Sequence, residues 1–239
     1  MKPNDMQKSP STTTGTDKTD SELKMDVLAE LKYEPSVKFT DIGVLVKHGV
    51  VTLNGFATSF AEKWHAVRAA KRVKGIKAIA DDIEVKLPDS WARNDGDIAD
   101  AVANQIDWST TIPSGAVKVV VRDGWITLDG EVEWWYQKNG AEDVVRYLAG
   151  VKGVKNRITI KTLIAPSDVQ ASISAAFGRS ALLDSKKITV ETAGSTVTLR
   201  GTARNHAEKD EAERVAWAAP GVTTVNNDIK LAWNWGFPV

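Results

Sequence analysis

The sequence predicts an α+β protein made of three tandem α-β-β-α-β units, each a three-stranded mixed sheet with two helices on one face. Three observations predict this architecture: one segment recurs three times, every copy carries helix-spaced and strand-spaced apolar residues in the same order, and glycines recur at two fixed places. Because a helix and a sheet each have one apolar face to bury, the stable packing is helices layered on a sheet.

The recurrence is plainest in short segments that end in Thr-Leu-x-Gly. They are KHGVVTLNG (47–55), RDGWITLDG (122–130) and AGSTVTLRG (193–201). Around them, residues 22–83 (copy 1), 97–158 (copy 2) and 168–229 (copy 3) align over 62 columns without a gap, and eight columns are identical. An ungapped register held through three copies indicates that one structural unit is repeated.

A predicted helix opens each copy. Its apolar residues recur every four positions, which places them on one helical stripe: Leu23, Val27, Leu31, Ile98, Val102, Ile106, Val169, Ile173 and Phe177. We predict N-caps at Asp20 or Ser21, at Asp95 and at Ser167, because Asp and Ser side chains accept hydrogen bonds from the first N–H groups of a helix.

Two strands joined by a tight turn follow the helix, since apolar and polar residues alternate there with period two. The turns contain glycine, at His48-Gly49, Asp123-Gly124 and Ala193-Gly194, and such residues supply the positive φ of a tight hairpin. Structural glycines end the second strand at Gly55, Gly130 and Gly201. We predict that each allows a bend or a close backbone approach that a Cβ would block.

A second helix with small residues on its apolar stripe comes next, followed by a last strand. The structural glycines Gly75, Gly150 and Gly221 stand where a helix C-terminus favours a left-handed residue. The helical crossover predicts that strand three runs parallel to strand two with a right-handed connection. The order of the three strands does not follow from these patterns.

The predicted organisation has three domains between two polar or aromatic ends. The segments are a disordered lead 1–20, domains 21–88, 95–163 and 166–232, and an aromatic tail 233–239. The lead contains Ser, Thr, Lys and Asp but no apolar core of a secretory signal, and no window approaches the roughly 20 apolar residues of a membrane span. We therefore expect a cytoplasmic protein, or one on the periphery of the cytoplasmic membrane.

The three copies resemble the BON domain, a family named for bacterial osmotically inducible protein Y and nodulation proteins. The matching segments are VTLNGFA…VKGIKAIADDI, ITLDGEV…LAGVKGVKNRI and VTLRGTA…APGVTTVNNDI. The column of Gly55 matches the most characteristic position of the family, and the resemblance covers residues 22–231. It implies the α-β-β-α-β fold and the role proposed for the family, which is binding of phospholipid or membrane surfaces in osmotic or envelope stress. Many relatives are exported, whereas no signal segment is found here.

Composition and motifs argue against several classes of function. The 31 basic and 31 acidic residues leave no net charge, so we expect no nucleic-acid partner, since nucleic-acid binders usually carry a basic field. There is no cysteine, and the histidines His48, His65 and His206 share no column. We interpret them as exposed polar residues, because metal and base sites need convergent partners. We expect no enzyme and no cofactor.

Three adjacent aromatic residues, Trp134, Trp135 and Tyr136, lie in the predicted link to the second helix of copy 2. Three neighbours in a loop cannot all point into one core. They either pack against a neighbouring copy or anchor the protein to a lipid interface or a partner, because Trp and Tyr favour such boundaries.

Basic residues concentrate on the second helix of copy 1, at Lys63, Arg68, Lys71, Arg72 and Lys74. Copy 1 carries a net charge of +2, against −2 in copy 2 and −1 in copy 3. This helix is a candidate contact for anionic headgroups. The alternative is a solvated charged face, which is the commoner role of such a helix.

The outward face of the sheet is apolar in copies 1 and 2 and polar in copy 3. The apolar members are Leu45, Val50, Val120 and Trp125, and copy 3 has Glu191 and Thr196 in these columns. An uncovered apolar face marks an interaction surface. We predict that copies 1 and 2 associate through it, with each other or with a second chain.

Two functional hypotheses remain. The first is a non-enzymatic protein that binds anionic phospholipid or a membrane surface during stress, as the resemblance implies. The second is a scaffold that forms homo-oligomers or bridges proteins without a lipid preference.

Overall fold

The computed structural model describes residues 18–161, 169–180 and 182–232. These residues form three sheets and six α-helices in the order predicted, with two helices to each sheet. The three-unit α+β fold is therefore confirmed. Most of the predicted N-terminal lead, the start of the predicted third domain and the aromatic tail 233–239 lie outside the described residues.

Copy 1 shows the unit without interruption. Its elements are α1 (Asp20–Tyr33), β1 (Ile42–Lys47), β2 (Val50–Ala57), α2 (Phe60–Arg72) and β3 (Ala78–Val85). The sheet order is β1-β2-β3, with β1 antiparallel and β3 parallel to the central strand β2. The hairpin and the helical crossover produce these two directions, as the sequence pattern predicts.

Copy 2 has the same order but a divided last strand. Its elements are α3 (Asp95–Trp108), β4 (Val117–Arg122), β5 (Trp125–Val132), α4 (Trp135–Val145), β6 (Gly153–Asn156) and β7 (Thr159–Ile160). Both β6 and β7 run parallel to the central strand β5. The last strand of copy 2, predicted from its alternating residues to be continuous, is thus broken around residues 157–158.

Copy 3 repeats the arrangement with an unbroken last strand. Its elements are α5 (Val169–Arg179), β8 (Ile188–Ala193), β9 (Thr196–Ala203), α6 (His206–Trp217) and β10 (Thr224–Leu231). The central strand β9 pairs with β8 antiparallel and with β10 parallel. Its hairpin turn consists of Gly194 and Ser195, one position later than the sequence analysis proposed.

Each copy closes its own hydrophobic core. The predicted helical stripes are buried in all three, and Phe177 is the largest fully buried side chain among the described residues. Units of this size bury only about 60% of the surface of their unfolded chain, so each gains from contact with its neighbours.

The first helices of copies 1 and 2 are capped one residue earlier than predicted, and the predicted cap Ser167 lies outside the described residues. Thr19 caps α1 and Asn94 caps α3, by accepting hydrogen bonds from Glu22 N and Asp97 N.

The predicted cap Asp20 instead accepts hydrogen bonds from His48 N and Gly49 N at 2.7 and 2.8 Å. These bonds lower the pKa of Asp20, Gly49 contributing most. Asp95 binds the turn of copy 2 in the same way, at Asp123 N and Gly124 N, so this acid ties the helix to the hairpin.

The glycines of the Thr-Leu-x-Gly segments lie where two backbones almost touch. A Cβ on Gly55 would stand 2.2 Å from the carbonyl oxygen of Asp41, and a Cβ on Gly201 would stand 1.9 Å from that of Lys187. Gly55 also has a φ of 107°. The predicted close approach is present, but these glycines lie within the central strand, which continues two residues further.

The second glycine set adopts the left-handed conformation, with φ values of 97°, 90° and 86° at Gly75, Gly150 and Gly221. They follow the second helix by a few residues and do not cap it directly, since α2 ends at Arg72. The turn that contains Gly75 packs against Leu23 of α1. Its role is therefore to bring the start of β3 close to α1.

The third residue of the second helix is a buried hydrogen-bond acceptor in every copy. Glu62 accepts from Lys38 N, Thr58 N and Thr58 Oγ1 at 2.7 to 2.8 Å. Gln137 and Glu208 occupy the same column and bind the equivalent loop. No role was predicted for these residues, although Ser59-x-x-Glu62 has the spacing of a capping box.

The copies meet through their second helices. The guanidinium of Arg146, which follows the last residue of α4, lies 3.8 Å from the ring centre of Trp64 in α2. On the copy 3 side, Lys71 Nζ of α2 forms an ion pair of 2.7 Å with Asp210 of α6, and Asn205 donates a hydrogen bond to Arg72 O. The helix α2 is therefore shared between two contacts, while the sheets lie on the other side of each unit.

Candidate functional surfaces

The basic residues of α2 are mostly engaged inside the molecule. Lys63 Nζ donates a hydrogen bond to Ile83 O at 2.7 Å and pairs with Asp81 at 3.2 Å. Lys209, in the same column of copy 3, donates in the same way to Ile229 O. Lys63 and Lys209 thus fasten the second helix to the last strand in copies 1 and 3.

The other cations of this helix have partners as well. Arg72 binds Glu30 at 2.6 Å and Glu34 at 3.1 Å within copy 1. Arg68 lies 5.0 Å from the ring centre of Trp64, and Lys71 forms the ion pair with copy 3. Lys74 is exposed in the turn after the helix. Within the candidate headgroup contact, Lys63, Lys71 and Arg72 are thus engaged in ion pairs, whereas Arg68 and Lys74 are exposed. A contact with anionic headgroups through these residues stays a prediction.

The aromatic cluster begins a helix and does not lie in a loop as predicted. Trp134 precedes α4, and Trp135 and Tyr136 form its first turn. The two tryptophans are partly buried, and Tyr136 is 53% exposed. The rings of Trp134 and Tyr136 are 6.4 Å apart. A lipid or partner contact through Tyr136 stays a prediction.

The four apolar residues predicted on the outer sheet faces are exposed, namely Leu45, Val50, Val120 and Trp125. The contacts between copies 1 and 2 run through α2 and the residues just after α4 instead, because Tyr147 and Arg146 approach His65 and Trp64 there. The faces are therefore not paired with each other within the part of the chain that the structure describes. Their use by a second chain remains a prediction.

The outer face of copy 2 combines an exposed tryptophan with cations. Trp125 lies opposite Gly153 in the register, and its ring covers that glycine so closely that a Cβ there would stand 2.2 Å from it. Lys155 Nζ is 5.6 Å from the Trp125 ring centre. Lys118 and Arg122 extend from β4 on the same face, on either side of Val120. We call this surface, formed by Lys118, Val120, Arg122, Trp125 and Lys155, the cationic aromatic face.

Three cations of this face lack a carboxylate partner among the described residues: Lys118, Arg122 and Lys155. The two neighbouring acids, Asp129 and Glu131, are paired with other cations, at 3.4 Å with Arg157 and at 3.6 Å with Lys161. The face is therefore strongly basic, although copy 2 as a whole carries more acids than bases. The acids of copy 2 lie largely on its helices.

The corresponding face of copy 3 is polar and neutralised. Arg200 binds Glu191 through two oxygens at 2.8 and 2.7 Å, and Thr196 replaces the exposed tryptophan. In copy 1, Lys86 Nζ lies 3.2 Å from the ring centre of Phe56, but Glu84 is 3.9 Å from the same lysine. The cationic aromatic face is thus particular to copy 2.

Two of the histidines are half-buried at contacts between copies and are not exposed as predicted. His65 Nε2 lies 3.3 Å from Tyr147 Oη, and His206 stands at the start of α6 beside α2. Burial lowers the pKa of both. Within residues 18–161, 169–180 and 182–232, no group of three or more His, Asp or Glu side chains is placed to hold a metal ion.

Comparison with known proteins places these features in a family. The family model described as "BON domain" matches residues 19–86, 94–162 and 167–232, which together make up most of the chain. The chain belongs to the BON domain family. Each BON match spans one α-β-β-α-β unit, so the family boundaries coincide with the structural repeat.

A curated BON relative is the osmotically-inducible protein Y of Escherichia coli (strain K12). It is 34% identical over 146 residues, which is 59% of this chain and 73% of that protein. Among solved structures, the C-terminal domain of CdsD, the structural protein of the type III secretion system of Chlamydia trachomatis, covers 87% of this chain and 96% of its own. Its identity is 13% and the TM-score is 0.25, which is too low to compare arrangements.

The BON units contain no candidate membrane span. Across the described ranges, every helix is too short or too polar to cross a bilayer.

Proposed function

We propose that this BON protein binds anionic phospholipid surfaces through the cationic aromatic face of copy 2, as a non-enzymatic protein of the osmotic stress response. The stress assignment rests on the family and on the name of the Escherichia coli relative. The observation that carries the binding surface is the group of three unpaired cations around the exposed Trp125.

The chemistry of the face fits a phospholipid interface. Each basic residue close to an anionic membrane contributes about 1 kcal/mol of attraction, so Lys118, Arg122 and Lys155 together contribute roughly 3 kcal/mol. Tryptophan favours the headgroup region, where one side of the ring is apolar and the other wet. Trp125 stands at the edge of this cationic group, and Val120 adds apolar surface beside it.

Vesicle sedimentation tests this proposal with the full chain. We expect the protein to sediment with phosphatidylcholine vesicles that contain phosphatidylglycerol, but not with phosphatidylcholine alone, and to be released by salt, which screens exposed charges. The double variant Lys118→Glu, Lys155→Glu should weaken binding by about 30-fold or more, since at least 2 kcal/mol is lost.

The matched control makes the same charge change elsewhere. Lys24→Glu with Lys230→Glu alters one exposed lysine on α1 and one on the sheet of copy 3, and should leave sedimentation nearly unchanged. Equal losses in both double variants would show a response to net charge only and would contradict a defined face. Sedimentation with uncharged vesicles would contradict the electrostatic argument.

A second candidate function is self-association through the outer sheet face of copy 1. Leu45 is 59% exposed and Val50 is 37% exposed, and Phe56 lies further along the same face. We expect light scattering at rising protein concentration to show a dimer, and Leu45→Glu with Val50→Glu to return it to a monomer. The same change at Thr196 of copy 3 is the control, and a wild-type chain that stays monomeric would rule this function out.

A further inference from the structure

A groove of about 590 Å³ opens between α5 and α6 of copy 3. Its floor is apolar, with the buried Ile173 and Ala219 and the partly buried Val215. Leu182 stands at the rim with 61% of its surface exposed. Small-molecule sites typically have volumes of roughly 300 to 1,000 Å³ and mostly apolar walls, so the groove has the size of a ligand site.

Comparison with copy 1 shows why this groove is open. In copy 1 the space between the two helices is filled by Arg72 and its ion pairs with Glu30 and Glu34. The aligned residues of copy 3 are short: Ala218 in the column of Arg72, Ala176 in that of Glu30 and Ser180 in that of Glu34. Three long charged side chains are replaced together, and all three positions line the groove.

The neighbouring copy also leaves this groove open. The Tyr147 hydroxyl of copy 2 contacts His65 of copy 1. His65 occupies the alignment column of Glu211. Copy 3 carries Glu211 there, bound to Arg214 through two bonds of 2.7 Å. The contact of α6 with α2 uses Asn205 and Asp210, outside the groove.

The charge at the groove favours one anionic group. Arg214 is neutralised by Glu211, a pairing whose hydrogen bonds lower the pKa of Glu211 and raise that of Arg214. Arg179, at the end of α5, is exposed and lines the groove. It has no ion-pair partner in the described part of the chain. One arginine beside an apolar trough complements a molecule with an alkyl chain and a single negative head.

We propose that this groove of copy 3 binds a single-chain anionic amphiphile, with the alkyl chain over Ile173 and Val215 and the head at Arg179. Both a fatty-acid carboxylate and the phosphate of a lysophospholipid have this chemistry. The site lies on a different copy from the cationic aromatic face and between helices rather than on a sheet. Failure of either proposal therefore leaves the other standing.

Isothermal titration calorimetry of the full chain tests the groove with decanoate, decyl phosphate and uncharged decanol, each kept below its micelle concentration. We expect one molecule to bind per chain, with both anions at least tenfold tighter than decanol. The tighter anion identifies the source, a fatty acid or a lysophospholipid. Arg179→Gln should weaken the anions about tenfold and leave decanol unchanged.

The sharpest variant restores the copy 1 residues in copy 3. Ala176→Glu with Ala218→Arg puts an ion pair into the groove and should weaken binding of all three probes at least tenfold, while thermal unfolding shows that the fold is kept. Ala175→Glu, on the exposed side of α5, is the control and should bind normally. Absence of binding, full binding by the filled groove, or equal affinity for decanol and the anions would each overturn the proposal.

Discussion

Gly55→Ala is expected to lower the free energy of unfolding of copy 1 by about 4 kcal/mol. A left-handed backbone costs an ordinary residue about 1 to 3 kcal/mol, and an overpacked atom costs a further 1 to 3 kcal/mol or so. Both apply at Gly55, where φ is 107° and the new Cβ would stand 2.2 Å from Asp41 O. A whole domain is typically stable by only about 5 to 15 kcal/mol, so this loss brings copy 1 close to unfolding.

Urea denaturation followed by circular dichroism measures this effect. Gly178→Ala is the matched control, because a Cβ at Gly178 of α5 would meet nothing within 4 Å. Alanine is preferred in helices, so this control should be more stable than the wild type by about 0.5 to 1 kcal/mol. A wild-type midpoint for Gly55→Ala would mean that the two backbones of copy 1 do not approach as described.

Glu62→Leu is expected to lower the free energy of unfolding by about 3 to 5 kcal/mol. Glu62 is only 7% exposed, and its carboxylate accepts hydrogen bonds from Lys38 N and from both the N–H and the hydroxyl of Thr58. Leucine would leave these donors without an acceptor, and each unsatisfied buried group costs about 1 to 3 kcal/mol. The loops before β1 and before α2 should loosen together, because both bind the same carboxylate.

Glu62→Gln separates this account from a general intolerance of substitution. Copy 2 has Gln137 in this column, and its side-chain oxygen accepts from Glu133 N and Trp134 N, both at 3.0 Å. Glutamine should therefore cost only about 1 kcal/mol, the value of one ordinary hydrogen bond. Thermal unfolding of both variants measures the difference, and equal losses would argue against the acceptor role.

The sequence predicted the fold well because apolar spacing and turn glycines are local signals that three copies repeat. Leu23, Val27 and Leu31 are buried as their spacing required. The strand order was beyond such signals, because it depends on which edge of the hairpin receives the crossover strand. The break in the last strand of copy 2 was also missed, because the residues of that strand alternate like those of an unbroken strand.

The functional sites were harder to predict than the fold, because a charged side chain is available for binding only if the fold leaves it without a partner of opposite charge. Lys63 and Arg72 were predicted to be part of a basic face, yet their charges are bound by acids from other elements. Asp81 lies on β3, Glu30 on α1, and Glu34 directly after α1. Such pairings cannot be read from one helix alone.

The cationic aromatic face was missed for the opposite reason. Summing charge over copy 2 gives a negative value, which hides the alternation of Lys118, Val120 and Arg122 along one strand. Applying the period-two rule to charges as well as to apolar residues would have placed these cations beside Trp125 on the outward face.

Among the described residues, the central position of β2, β5 and β9 leaves two open edges on every sheet. Exposed edges invite strands of other molecules and lead to aggregation. On the last strands this hazard is reduced in two ways: β3 carries Asp81, Asp82 and Glu84, and the corresponding strand of copy 2 is short and divided. Repulsion between carboxylates on β3 and the interruption between β6 and β7 both hinder edge-to-edge growth of fibrils at the last strands of copies 1 and 2.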